Sequence, residues 1–142
     1  MRQCIELAKL ARQNGDTPVG SIIVRDGNIL AEGIEAVKTK FDITAHAEIE
    51  AIRRACRTLN SLDLRDCALY TTAEPCWMCS YAIRKTGISR VFIGAAVPQA
   101  GGASSHYPIL TDSAISRWPT VPDVSFGVLR EACECLTRRP EP

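Results

Sequence analysis

The chain alternates helix-period and strand-period segments along nearly its whole length, and that alternation restricts the folds open to it. Residues 2–14 place Ile5, Ala8 and Ala11, with Cys4 and Leu7 alongside, on one face of a helix that Gly15 closes. Ser21-Ile-Ile-Val24 and Ile29-Leu-Ala31 flank Arg25-Asp26-Gly27-Asn28. An Asp-Gly pair suits a tight turn with positive φ, so this stretch predicts a β-hairpin. Residues 45–59 predict a second helix with Ile49, Ile52 and Cys56 inward, and Cys67-Ala-Leu-Tyr-Thr-Thr72 a buried strand. Trp77 to Thr86 reads as a helix ended by Gly87, Val91-Phe-Ile93 as a strand, and residues 126–138 as an amphipathic last helix. A loop of small residues, Pro98-Gln-Ala-Gly-Gly-Ala-Ser-Ser105, follows the last of these strands. The order α-β-β-α-β-α-β-α, with four strands placed, predicts a layered α/β domain. The fold class expected is a three-layer α/β/α sandwich with a central mixed five-stranded sheet, one strand more than these patterns locate. The hairpin supplies the antiparallel strands; helical connections make the later ones parallel.

Composition narrows the setting. A length of 142 residues suits one domain spanning 1–142. With 46% hydrophobic residues and only 9 Gly and 8 Pro, the chain is neither disordered nor fibrous. No apolar run approaches the ~18 to 20 residues that span a bilayer. Charges at Glu6, Lys9 and Arg12 interrupt any secretory apolar core, so a soluble cytoplasmic protein is expected. The first helix begins beside Met1 with no capping residue, which fits either an upstream natural start or a frayed end. Seventeen basic residues against sixteen acidic ones are not the footprint of a strong nucleic-acid binder.

Seven cysteines, an odd count without a secretory signal, speak against a disulfide framework. Cys4, Cys56, Cys67, Cys133 and Cys135 read as small structural residues, the last two pointing apart on one helix. Cys76 and Cys79 differ: the pair follows Pro75 and opens a helix, as a metal chelate does.

His46-Ala47-Glu48 opens another helix. His46, Cys76 and Cys79 offer one nitrogen and two sulfurs, a donor set suited to tetrahedral Zn²⁺. Three protein ligands leave the fourth position for water, as in catalytic sites. Glu48 lies two residues after His46, so it does not share its helical face and is free to reach water and substrate. Helix N-termini favour thiolates there. The bland alternatives are a core histidine and a structural zinc knot, but a knot wants a fourth protein ligand, and only His106 and scattered cysteines remain. Glu74 reads as an organiser of the strand-to-helix turn.

H-x-E followed by P-C-x-x-C is the signature of zinc deaminases. The sequence resembles the cytidine deaminase-like superfamily, within it the branch of tRNA-adenosine, guanine and cytosine deaminases. The stretches that carry the resemblance are Thr17–Val24, Asp42–Glu48, Tyr70–Cys76 and Ala100–Ser104. It implies Zn²⁺ as cofactor and hydrolytic deamination, with Glu48 moving the proton and backbone N–H groups near Ala47 and Cys76 steadying the intermediate. It also implies a homodimer, with Trp77, Met78 and Tyr81 as interface candidates. Two departures stand out. Glu35 occupies a position where relatives carry an asparagine that contacts the base or its sugar; a carboxylate only accepts, which would favour ligands with extra donors. Trp77 replaces a usual proline, and His106 and Tyr107 lie where relatives place substrate-facing side chains. The expected substrate-binding set is therefore Glu35, Ala47, Trp77, His106 and Tyr107. Three functions compete: a deaminase of a free nucleobase or nucleoside, expected first; a tRNA wobble-adenosine deaminase; and a non-catalytic zinc-binding partner subunit. The neutral charge balance, the short basic tail Arg138-Arg139 and the absence of a Lys/Arg stripe count against tRNA, and the presence of Glu48 counts against the inactive subunit.

Overall fold

The computed structural model describes residues 1–118 and 120–137. Its elements are α1 (Arg2–Gln13), β1 (Gly20–Arg25), β2 (Asn28–Ile34), α2 (Val37–Lys40), α3 (Ala47–Leu59), β3 (Cys67–Ala73), α4 (Trp77–Thr86), β4 (Arg90–Ala95), β5 (Asp123–Phe126) and α5 (Arg130–Thr137). The strands form one mixed sheet in the order β2-β1-β3-β4-β5. β1 runs antiparallel to β2 and β3, while β3, β4 and β5 are parallel. Helices α1 and α5 pack together against one face, and α3 and α4 meet on the other, giving the three expected layers.

Period-2 alternation divides the core between the faces. On β1, Ile23 joins Leu69, Ile83, Val91 and Ile93 in the main cluster, while its neighbour Ile22 packs with Cys4 and Leu7 of α1. Helix α3 buries a seam of Ala47, Ala51 and Ala55 together with Ile52. Ile49 and Cys56 are only half-buried, because the inward stripe is built from alanines that let the helix close on β2. Gly33 completes that approach: a Cβ there would stand 2.0 Å from the Ala47 carbonyl oxygen.

The C-terminal part departs from expectation. Residue 126 ends strand β5, and the last helix starts at Arg130 rather than 126. Gly127 and Leu129 take positive φ (82° and 54°), which no helix continues through. β5 is a short edge strand whose side chains are mostly exposed, so its sequence carries little of the apolar signal by which strands are read. The one-turn helix α2 also went unanticipated. Cys133 is buried and Cys135 exposed, so these two do diverge, and Cys135 is a surface residue rather than a packed one. No helix among the described residues is long and apolar enough to cross a membrane.

Candidate active site

Two helix N-termini converge at one end of the strands, after the loops that follow β2 and β3. His46 is the N-cap of α3 and Cys76 that of α4, both extended in backbone conformation. The Asp42 carboxylate fixes the approach to α3 by accepting the Thr44 N–H at 2.8 Å and the Thr44 hydroxyl at 2.6 Å. Pro75 and Cys76 turn the chain from β3 into α4, and the Ser80 N–H closes the first turn onto the Cys76 carbonyl at 2.8 Å.

The three soft donors meet. His46 Nδ1 lies 3.6 Å from Cys76 Sγ and 3.7 Å from Cys79 Sγ, and the two sulfurs are 3.7 Å apart. A tetrahedral zinc with ordinary Zn–S and Zn–N lengths requires S···S of about 3.8 Å and S···N of about 3.6 Å. The triangle has the right size with no movement. Among the described residues this is the one His/Cys/carboxylate group so gathered. The proximity shifts how readily each group holds its proton. The Cys79 contact, then His46, holds the Cys76 thiol far below its ordinary value; Cys76 in turn raises His46, and Cys79 is pushed strongly upward by the Cys76 contact and by burial.

Glu48 is 3% exposed and faces this triangle, its Oε2 3.6 Å from Cys79 Sγ. Burial pushes its carboxyl up to about 7. A polar relay reaches it from the sheet: Ser21 Oγ bonds Thr71 Oγ1 at 2.8 Å, and Thr71 Oγ1 lies 3.2 Å from Glu48 Oε1. Pairing of Ser21 opposite Thr71 across β1 and β3 makes this relay possible. Sequence reasoning missed both hydroxyls; only their place inside otherwise apolar strands hinted at a role.

Glu35 is 8% exposed rather than solvated, and its Oε2 accepts the Ala47 N–H at 3.3 Å. That donor, expected to steady an intermediate, is thus taken by a side chain. Burial raises the Glu35 carboxyl, while His46 works against the rise. Trp77 directly follows the ligand Cys76, and its ring begins a run of contacts with Tyr107 and His106 along the surface. The Trp77 ring meets Tyr107 edge-on at 5.8 Å, Tyr107 meets His106 at 4.9 Å, and the Trp77 indole N–H bonds Ser105 Oγ at 3.2 Å. All three rings are exposed. Glu74 organises more than the turn: its carboxylate accepts the N–H groups of Val97 (2.7 Å), Ala103 (2.9 Å) and Ser104 (2.7 Å), anchoring the loop that carries Tyr107. A Cβ at Gly101 would stand 2.1 Å from that carboxyl carbon, so any side chain there would displace Glu74 from its donors. The basic tail Arg138-Arg139 lies outside the described residues.

Residues 1–95 match the family model of the cytidine and deoxycytidylate deaminase zinc-binding region. The chain belongs to that deaminase family. As a member, it carries the family's zinc-binding His/Cys/Cys site and is a zinc-dependent hydrolase of C–N bonds. Two kinds of deaminase resemble it. The tRNA-specific adenosine deaminase of Aquifex aeolicus is 39% identical over 140 residues, 96% of this chain and 89% of the relative. The guanine deaminase of Bacillus subtilis is 51% identical over 78 residues, 55% of this chain and 50% of the relative. Among solved structures, one from studies of A-to-I editing by tRNA:A34 deaminases superposes with a TM-score of 0.89 at 32% identity, covering 96% of both chains. The Bacillus subtilis guanine deaminase structure reaches 0.64 at 45% identity, over 67% of this chain and 61% of its own.

Proposed function

We propose that this deaminase converts adenosine to inosine within tRNA, at the exposed wobble position of the anticodon loop. The observation that carries the proposal is extent of likeness: the tRNA-specific relative matches 96% of this chain, whereas the guanine deaminase matches 55%. The surface beside the site supports it. Trp77, Tyr107 and His106 form an exposed aromatic rim on which bases flanking an extruded nucleotide can stack. A free base would need no such platform.

His46, Cys76 and Cys79 hold the metal. Zinc at such a site supplies a Lewis acid that makes water a nucleophile near neutral pH. Glu48 moves the protons: its carboxylate takes one from the attacking water and gives it to ring N1, making C6 electrophilic. It then takes the proton of the hydroxyl now on C6 and delivers it to the amino group; the C6–N bond breaks, ammonia leaves and the C6 carbonyl forms, so adenosine and water become inosine and ammonia. A carboxyl near 7 in a dry setting is suited to both halves of that cycle. Thr71 and Ser21 orient it.

One observation favours a second reading, a free amino-purine or its nucleoside. Glu35 places a buried acceptor-only group beside the site, which suits a ring amine or a ribose diol better than a phosphodiester chain. The zinc-loaded protein, offered a wobble-adenosine tRNA transcript and, separately, adenosine, guanine and cytosine, decides between them. Inosine in the digested tRNA, with little ammonia from the free compounds, is the expected result. Unmodified tRNA with rapid ammonia release from a free base would overturn the tRNA reading and establish the second.

A further inference from the structure

We propose that a cleft at the far end of α4 from the metal site is an anion site that takes a phosphate group. The cleft, about 440 Å³, lies between the loop before β3, the C-terminal end of α4 and the segment preceding β5. Four cations reach it: Arg65, Arg84, Lys85 and Arg117. Its one acid, Asp63, is already engaged by the Arg65 guanidinium, with contacts of 2.6 to 3.0 Å. Lys85 and Arg117 are exposed, and neither has a hydrogen bond or ion pair among the described residues.

Arg84 is the unusual group. It is 2% exposed, and among the described residues its terminal nitrogens donate only to backbone carbonyls, those of Ile109, Leu110, Asp112 and Trp118. The Asp112 carboxylate acts on it through space but makes no ion pair with it. Two buried N–H groups of residues that line the cleft, Arg84 Nε and Trp118 Nε1, have no acceptor among the described residues. Buried donors normally find a partner, and where residues bearing two orphans line a cleft with unpaired cations the missing partner is an acceptor of negative charge.

The negative end of α4 points here and opposes an anion, with roughly half an elementary charge. Much of that end is already spent: the Gly87 N–H bonds the Ile83 and Arg84 carbonyls, and the Leu64 N–H bonds that of Thr86. Three cations without a carboxylate outweigh the remainder. Helix α4 is ten residues long, about 15 Å, so a phosphate at its far end is not at the reacting centre. It comes either from an RNA backbone, which presumes the tRNA reading, or from free phosphate, which does not.

The test uses the zinc-loaded full chain at low ionic strength. Inorganic phosphate should shift the Trp118 indole N–H resonance saturably and leave that of Trp77 in place. Lys85→Ala/Arg117→Ala removes two exposed, unpaired side chains, so its melting temperature should match the parent, and it should bind phosphate at least ~10-fold more weakly. A synthetic anticodon stem-loop then separates the sources. If the double variant binds it more weakly, with a salt slope reduced by about 2, the ligand is RNA backbone; if RNA binding is unchanged while phosphate binding is lost, it is free phosphate. No saturable shift at Trp118, or equal phosphate affinity in the double variant, overturns the site.

Discussion

Glu48 shows how much one position inside a fold can do to a common side chain. Two residues along from a metal ligand, it sits on the buried side of α3, where burial drives its carboxyl toward neutrality and Thr71 fixes its direction. Replacing Glu48 by Ala should leave one zinc per chain, measured by atomic absorption, and lower turnover by at least ~100-fold. Cys79→Ala should behave differently, losing zinc and activity together, because one fully buried thiolate cannot be replaced by water without opening the triangle. If both variants kept their metal equally, the ligand assignment would be wrong. His46, Cys76, Cys79 and Glu48 were all legible in the sequence because donor chemistry and spacing specify them. Thr71 and Ser21 were not: a hydroxyl in a strand has no signature until its cross-strand neighbour is known.

Elements act through how they end and how closely they approach. α3 and α4 both begin at metal ligands, so the distance between the two helices sets the size of the site. Gly33 and the alanine seam let α3 settle on β2, and Glu74 straps the loop after β4 across the start of α4. Burial pushes the Glu74 carboxyl up, but donors from Ser104, Val97 and Ala103 outweigh it and hold it below its ordinary value of 4.5. A carboxyl lowered on folding stabilises the native state above its unfolded value and loses that contribution as pH falls through the folded one. Glu74→Gln should therefore cost about 2 kcal/mol at pH 7, read from urea melts, and the gap to the parent should close below about pH 4. A gap that stayed constant down to pH 3 would refute the assignment. At this scale the sequence was read well where elements are buried and poorly at the C-terminal edge. β5 is short and exposed, and the apolar residues from 126 onward mimic helical spacing across a break made by positive φ at Gly127 and Leu129.

For the whole molecule, zinc is a tie between the starts of two helices in one layer. Its ligands come from the starts of α3 and α4, separated by a strand and a loop, so metal bound only by the native state stabilises the entire domain. Removing it with a strong chelator should lower the melting temperature by several degrees, and stoichiometric Zn²⁺ should restore it. An unchanged melting temperature would mean that the helices are held without it. Net charge also looks different at this scale. The sequence carries no basic stripe, yet Arg65, Arg84, Lys85 and Arg117, drawn from three separate segments, line one cleft.

By itself the sequence determined the α/β alternation, the zinc donors and the acid beside them, because each depends on residue type and short-range spacing. Tertiary structure alone decided that Glu35 is buried against the Ala47 N–H, that the Trp77, Tyr107 and His106 rings touch in a run, and that four scattered cations line one cleft. Those features arise from contacts between segments far apart in the chain, and such contacts leave no local pattern to read.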